Sequence, residues 1–370
     1  MKIKRILKWI ALSIPVILVA AMLIAYWNSD NACGDGGSGF PAGPVQAITY
    51  CDYGTAEVLR LERIEKPVPA DDQILVKVAA AAVNPLDWHY MRGSPYLMRI
   101  GTGFRRPTEL RLGVDYSGTV EAVGAKVTRF KPGDAVFGGR TGAFAEYVVA
   151  RADGSVTRKP DSLTFEQAAA VPIAAITALQ GLRKAGVQPG ERVLINGASG
   201  GVGTFAVQIA KAQGLHVTGV CSTRNVELVR SLGADEVIDY KHEDYTAGNR
   251  RFDVIIDNVG NHPLLANRRA LASGGRYILI GGGGPEAAQW IGPMVSPLKA
   301  ILLSPFISER MEFLLADLNK EDLAALGELM QAGKVTPVID RRYALREVPE
   351  AIRYVESGRA RGKVIINIDS

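Results

Sequence analysis

The sequence predicts an α/β chain: a β-rich domain and a doubly wound parallel sheet, with one transmembrane helix ahead of both. Three observations predict it. Residues 9–29, WIALSIPVILVAAMLIAYWNS, carry no charge. Between about 45 and 160 the chain breaks into short β-like runs separated by Gly, Pro and Asp. From about 165 onward, strand-like runs alternate with segments of helical apolar spacing, which implies right-handed βαβ units and a parallel sheet.

The uncharged run comes first. At about 1.5 Å per residue it spans roughly 30 Å, the thickness of a hydrocarbon core. Lys2, Lys4, Arg5 and Lys8 precede it, and Tyr26 and Trp27 sit at its far end, as interfacial aromatics do. The reading is a single-pass membrane anchor over 1–29. A cleaved signal peptide is the rival, although its apolar region is usually about 7–15 residues. Residues 30–44, with GDGGSGFPAGP, read as a flexible linker. The four cations supply most of the formal net charge of +5, so the remainder is near neutral. That argues against nucleic-acid binding, which needs a basic footprint. Cys33, Cys51 and Cys221 form no C-x-x-C, and a chain of 370 residues gives no reason to expect a disulfide framework.

In the body, AITY, ILVKVAAAAV, DYSGTVEAVG, AVFGG and FAEYVVA suit a small β-barrel-like domain. VLING, HVTGVC, EVIDY, VIIDNVG and RYILIGGGG then alternate with helical segments. EDLAALGELMQAGK and PEAIRYVESG read as helices near the C-terminus, and KVIINI as a final strand. Residues 286–306, EAAQWIGPMVSPLKAILLSPF, read as an apolar excursion on the substrate side or at a dimer contact.

The stretch NGASGGVGTFAVQIAKAQG (196–214) sits between a strand and a helix. Ala198, Gly200 and Gly203 take the positions of a G-x-G-x-x-G fingerprint, with Ser199, Gly201 and Val202 between and around them. The first position makes the tight turn, Gly200 lets backbone approach a pyrophosphate, and Gly203 lets the helix pack on its strand. The helix N-terminus presents N–H groups to the phosphates. The bland alternative is a tight βα turn with no ligand. The second strand is followed by CSTRN, without the Asp or Glu that would bond a ribose 2′-hydroxyl. Ser222, Thr223 and Arg224 suit a 2′-phosphate, so NADP(H) is the expected cofactor. The two hydroxyls also suit capping of the next helix. Asn258 and Val259 follow the fourth strand, and Gly281 and Gly282 the fifth, at the edge where such sheets bind ligands.

Six stretches carry a family resemblance: AAVNPLDWHYMRG (81–93), LGVDYSGTVEAVGAKVTRFKPGDAVFGG (112–139), GAFAEYVVA (142–150), AAAVPIAAITALQGL (168–182), INGASGGVGTFAVQIAKA (195–212) and RGKVIINI (361–368). Together they resemble the medium-chain dehydrogenase/reductase superfamily in its zinc-free quinone-oxidoreductase-like branch, near the reticulon-interacting NADPH oxidoreductases and bacterial NAD(P)-dependent alcohol dehydrogenase homologues. The resemblance implies a GroES-like catalytic domain built from residues 45–168 and 319–370, with a Rossmann domain, 169–318, inserted between them. It also implies an active site in the cleft.

Within that resemblance, zinc relatives carry a cysteine where this chain has Asn84 and a Gly-His-Glu where it has Gly113, Val114 and Asp115; PIAAITALQG lacks the third ligand. No metal is expected. Asn84 is placed near the nicotinamide and Tyr90, with His89, is a candidate proton donor. Thr177, Tyr240 and Lys363 resemble contacts to coenzyme phosphates or nicotinamide, to adenosine, and to pyrophosphate. Asp87 is expected to pair with Arg92. The implied activity is zinc-independent hydride transfer from NADPH to a quinone or an α,β-unsaturated carbonyl; a non-catalytic NADPH-binding protein and an alcohol dehydrogenase are the alternatives. A tethered body suits a lipophilic substrate, and a homodimer is the assembly weighed. The positive-inside rule, however, sends the body across the membrane, away from cytosolic NADPH, so the side is left open.

Overall fold

The computed structural model describes Cys33, residues 39–281 and residues 308–368. The first part contains strands β1 (Val45–Thr49), β2 (Arg60–Ile64) and β3 (Gln73–Val83), then helices α1 (Pro85–Arg92) and α2 (Arg99–Thr102). Strands β4 (Asp115–Val123), β5 (Ala135–Gly139), β6 (Tyr147–Arg151) and β7 (Val156–Arg158) follow, then helix α3 (Phe165–Ala169). Helix α4 (Pro172–Ala185) leads into β8 (Arg192–Asn196), α5 (Gly201–Ala212), β9 (His216–Cys221), α6 (Val226–Ser231) and β10 (Glu236–Asp239). Next come β11 (Phe252–Asp257), α7 (Leu264–Ala270), β12 (Leu271–Leu279) and β13 (Arg310–Phe313). The chain closes with α8 (Lys320–Gln331), β14 (Ile339–Ala344), α9 (Val348–Glu356) and β15 (Lys363–Asn367).

Two sheets position the site. The first has seven strands in the order β14-β15-β3-β4-β5-β7, with β6 also on β3, so the C-terminal strand β15 joins strands from the start of the chain. β3 can carry four consecutive alanines, 79–82, because α3 lies on that part of the sheet: Ala80 and Ala82 pack with Ala169, Ala170 and Ile365. The second sheet runs β10-β9-β8-β11-β12-β13, and every pairing in it is parallel. In chain order that is 3-2-1-4-5-6, and the order reverses between β8 and β11, where such folds open a ligand crevice. The predicted β-rich domain and doubly wound parallel sheet are both present.

The core does not respect the two sheets. Phe137 and Leu163 from the first part, and Leu323, Leu326 and Met330 from α8, pack in one cluster with Ile176, Leu182, Ile195 and Phe205.

Two expectations are corrected. Among the described residues no helix is long and apolar enough to cross a membrane, and residues 1–29 lie outside them. The transmembrane helix is therefore no part of the described fold, and the membrane localisation resting on it is withdrawn; an uncharged run meets a length criterion without establishing a helix. The second concerns cysteine. Cys33 and Cys51, 18 residues apart, form a disulfide. Distance along the chain hid the pairing: from residue 39 onward the chain lies on the body, where Phe40 packs beside Val45 and Ala145 and Pro41 O accepts the Glu65 N–H at 3.0 Å.

Candidate active site

The glycine turn lies at the carboxyl end of β8. Its left-handed residue is Gly197, with φ 77°; the adjacent Ala198, expected to make the tight turn, is fully buried instead. Gly200 caps α5 in extended backbone. A Cβ there would meet only Gly197 O, at 3.4 Å, so its open side faces away from protein. At Gly203 a Cβ would lie 2.1 Å from Gly197 O and 2.7 Å from Ala198 Cα, so the helix sits directly on the turn. Ser199 is buried, Val202 half-buried, and Gly201 begins the helix. The turn therefore offers bare backbone at a helix N-terminus.

The end of β9 lies beside it. Ser222, Thr223 and Arg224 lead into α6, and Ser222 makes no side-chain cap to the short helical turn it precedes. Arg224 donates to Arg359 O at 2.6 Å, reaching the loop before β15. Thr223 bonds Asp239 and lowers that carboxyl below its ordinary range. Tyr240, just past β10, is 53% exposed. One residue was missed by the sequence reading. Asn225 is buried and donates to Ser199 Oγ at 2.9 Å and Ser222 Oγ at 3.3 Å, tying the glycine turn to the second strand end. Its Oδ1 is buried without a hydrogen-bond partner. The signal was available: an Asn three residues after Ser222, at a helix start.

Across the order reversal, buried Asp257 ends β11 and holds the next loop. Its Oδ1 accepts from Asn196 Nδ2 (2.8 Å), Val259 N (3.0 Å) and Gly260 N (2.9 Å), and its Oδ2 from Tyr277 Oη (2.7 Å). Asn258 donates to Asn196 O at 2.9 Å, leaving its own Oδ1 buried and unpartnered. Gly281 crowds this loop, since a Cβ on it would lie 2.3 Å from Asn258 O. Gly282 and residues 286–306 lie outside the described residues.

The other wall of the cleft is a buried polar cluster. Asn84 is the N-cap of α1, followed by Pro85 at the first helical position. Asp87 accepts the Asn84 N–H at 2.7 Å and the Gly113 N–H at 3.1 Å. Arg92, expected to pair with Asp87, instead pairs with Glu356 of α9. The reason is local: three residues after an N-cap, a carboxylate reaches back to the cap N–H. Burial, helped by the neighbouring Asp115, raises the Asp87 carboxyl to about 7 against its two N–H donors and Lys363. Asp115, also fully buried, is raised by burial and opposed by Lys363. The Asn84 amide donates to Asp115 Oδ2 at 3.0 Å, and Lys363 Nζ contacts both Asn84 Oδ1 and Asp115 Oδ2.

Other predicted residues are less engaged with this cluster. Tyr90 is half-buried against the first domain's core, its hydroxyl pKa raised by burial. His89 stacks on Trp88 and contacts Ser94 O at 2.6 Å; burial lowers its pKa. Thr177 bonds Ile173 O one turn back in α4, at 2.6 Å. No group of three His, Cys, Asp or Glu among the described residues is arranged to hold a metal ion. Asn84 and Lys363 stand together instead, an amide and a cation, where a cationic metal needs anionic or lone-pair donors.

A glycine turn at the order reversal of a parallel sheet, facing a β-rich domain with a buried polar cluster, defines the class of two-domain α/β nucleotide-dependent oxidoreductases. The comparisons place the chain within that class. The family description "Alcohol dehydrogenase GroES-like domain" matches residues 70–161, and "Zinc-binding dehydrogenase" matches residues 232–366. The mitochondrial NAD(P)H oxidoreductase RTN4IP1 of Mus musculus is 38% identical over 85% of this chain and 87% of its own length. The quinone oxidoreductase of Homo sapiens is 36% identical over 87% of this chain and 97% of its own. The solved quinone oxidoreductase from Coxiella burnetii has a TM-score of 0.77 and 32% identity, covering 88% of this chain and 99% of that one. The chain belongs to the medium-chain dehydrogenase/reductase superfamily, in its quinone-oxidoreductase-like branch.

Proposed function

We propose that the protein is a zinc-independent, NADPH-dependent oxidoreductase that reduces a quinone or an α,β-unsaturated carbonyl. The observation that carries this reading is the end of β9, Ser222-Thr223-Arg224, two hydroxyls and a cation beside a glycine turn with its backbone bare. The relatives' names, NAD(P)H oxidoreductase and quinone oxidoreductase, support it. The unpartnered oxygens of Asn225 and Asn258, one on each side of the turn, fit a ligand rich in hydroxyls and amide hydrogens.

When bound, NADPH supplies the hydride. The chain's own residues bind and orient. The N–H groups at Ser199, Gly201 and Val202 hold the pyrophosphate, with Ala198, Gly203 and Gly200, whose own N–H closes onto Gly197 O at 3.1 Å, shaping the turn. Ser222, Thr223 and Arg224 take the 2′-phosphate, and Tyr240 the adenosine side. Asn258, Val259 and Gly281 form the ribose and nicotinamide edge, with Thr177 behind it. Asn84 faces the reaction centre, and Tyr90 is the proton donor we assign. The donor set does not fit zinc, so no step runs through a metal.

The test is NADPH oxidation by EDTA-treated protein with 1,4-benzoquinone and with 3-penten-2-one, alongside metal analysis. Turnover with either acceptor and without stoichiometric zinc is expected. Tight NADPH binding with no turnover against any quinone or enone would reduce the protein to a coenzyme-binding role, and zinc-restored activity would return it to the alcohol dehydrogenases.

A further inference from the structure

Lys363 is 3% exposed and Asp115 fully buried, yet both carry charge-bearing groups. Such groups are tolerated inside only when paired and hydrogen-bonded. The pairing here is a closed triangle. Lys363 Nζ meets Asp115 Oδ2 at 3.1 Å and donates to Asn84 Oδ1, while Asn84 Nδ2 donates to the same Asp115 oxygen at 3.0 Å. An ammonium only donates and a carboxylate only accepts. The Asn84 amide therefore has one acceptable orientation; reversed, it would set its NH2 against the ammonium and its carbonyl against the carboxylate. Asp87, close enough to act electrostatically on both charges, reinforces the need for the cation.

The triangle is fastened to both walls of the cleft. Asp115 Oδ1 accepts the Ile173 N–H at 3.0 Å, in the first turn of α4, the helix that carries Thr177. Gly362, the residue before Lys363, donates to Ser199 O at 2.9 Å and forms a parallel bridge with Gly200. A Cβ on Gly201 would lie 3.3 Å from Lys363 Cδ, so the lysine stem runs against the glycine turn.

We propose that Lys363, with Asp115, is a positioning residue: its buried ammonium fixes which way the Asn84 amide faces and ties that amide to the coenzyme-binding turn of the other domain. The proposal rests on the oxidoreductase reading above. It assigns Lys363 to the turnover step through Asn84, and leaves the coenzyme phosphates to the backbone of the turn.

The experiment compares wild type, Lys363→Met and Lys363→Arg for NADPH Kd by calorimetry and for kcat at saturating NADPH with 1,4-benzoquinone. Lys363→Met is expected to lose roughly tenfold to a hundredfold in kcat, with its Kd close to wild type, because misplacement of a reacting contact acts on turnover. Lys363→Arg, which keeps the cation, is expected to retain more activity than Lys363→Met. A raised Kd with kcat intact would make Lys363 a coenzyme ligand and overturn the proposal, as would no change in either. If Lys363→Met does not fold, the Lys363→Gln/Asp115→Asn double variant, with neither charge buried, decides by the same criteria. A second readout needs no turnover: the Asn84 side-chain amide resonances, identified by their loss in Asn84→Asp, should exchange slowly in wild type and quickly in Lys363→Met. Unchanged exchange overturns the positioning role even if the chain proves to be a binder. Absence of NADPH binding in wild type defeats the functional reading and leaves the amide result to judge the triangle.

Discussion

Asp87 shows how one buried carboxyl turns a local hydrogen-bond pattern into a pH response. Its pKa rises from 3.8 to about 7 because burial outweighs the two N–H groups it accepts. A raised carboxyl pKa means that the folded state holds a proton that the unfolded state has already released across that window. Stability contributed by this group is thus greatest at the acid end and is lost as pH rises from about 4 to 7, with no further change above. In Asp87→Asn that decline should be absent when urea denaturation is compared at pH 5 and pH 8. At pH 5 the variant should be less stable by about 1–3 kcal/mol, because an amide NH2 would face either the Asn84 or the Gly113 N–H, and the gap should narrow toward pH 8 as the wild type alone loses stability. The glycines give a second contrast at this scale. Gly200→Ala finds no backbone closer than 3.4 Å, so melting should be unchanged while NADPH Kd rises. Gly203→Ala drives a Cβ into Gly197 O and should destabilise by about 1–3 kcal/mol, with coenzyme binding lost alongside.

At the scale of elements, the loop after β11 illustrates what a sequence reveals and what it withholds. The alternation of strands and helices from β8 to β12 is written in apolar periodicity, and the turn after β8 in its glycines, so the parallel sheet and its crevice were both readable. Nothing local says that Asp257 gathers four donors from Asn196, Val259, Gly260 and Tyr277, because two of those partners lie on other strands. Lys363 was legible as a cation near the cleft, but its burial depends on β15 lying beside β3, a pairing between opposite ends of the chain. Asp87 was mispaired although the sequence held the answer, since Asn84 and Asp87 have capping-box spacing. Cys33 and Cys51 are 18 residues apart in sequence, with no periodic pattern between them to bring the two together. For the loop itself, Asp257→Ala strips an acceptor from all four donors at once. Each buried donor left unpaired costs about 1–3 kcal/mol. The variant should lose several kcal/mol in denaturant unfolding, and what remains folded should bind NADPH weakly because residues 258–260 are no longer held.

At the scale of the whole molecule, the two sheets share a core among the described residues, and that sharing predicts a single cooperative unfolding unit. Phe137 and Leu163 on one side and α8 on the other complete the packing around Phe205 and Ile195, and Ser155 Oγ reaches Leu318 O at 2.5 Å. Coenzyme seated in that cleft binds the folded state alone, so its affinity is read as added stability. At a concentration about 100-fold above Kd the gain is about 2.7 kcal/mol. Thermal unfolding with and without coenzyme should therefore show one transition, displaced upward by a few degrees with NADPH. NADH at the same concentration should displace it less, because the end of β9 offers Ser222, Thr223 and Arg224 to a 2′-phosphate, while the Asp239 carboxylate beside it is engaged by Thr223. Arg224→Asp reverses that chemistry. It removes the cation and supplies a carboxylate, so the NADPH displacement should shrink and the NADH displacement should hold or grow. Equal displacements by the two coenzymes in wild type would mean that the second strand end does not read the phosphate, while displacement by neither would mean that the glycine turn grips no dinucleotide.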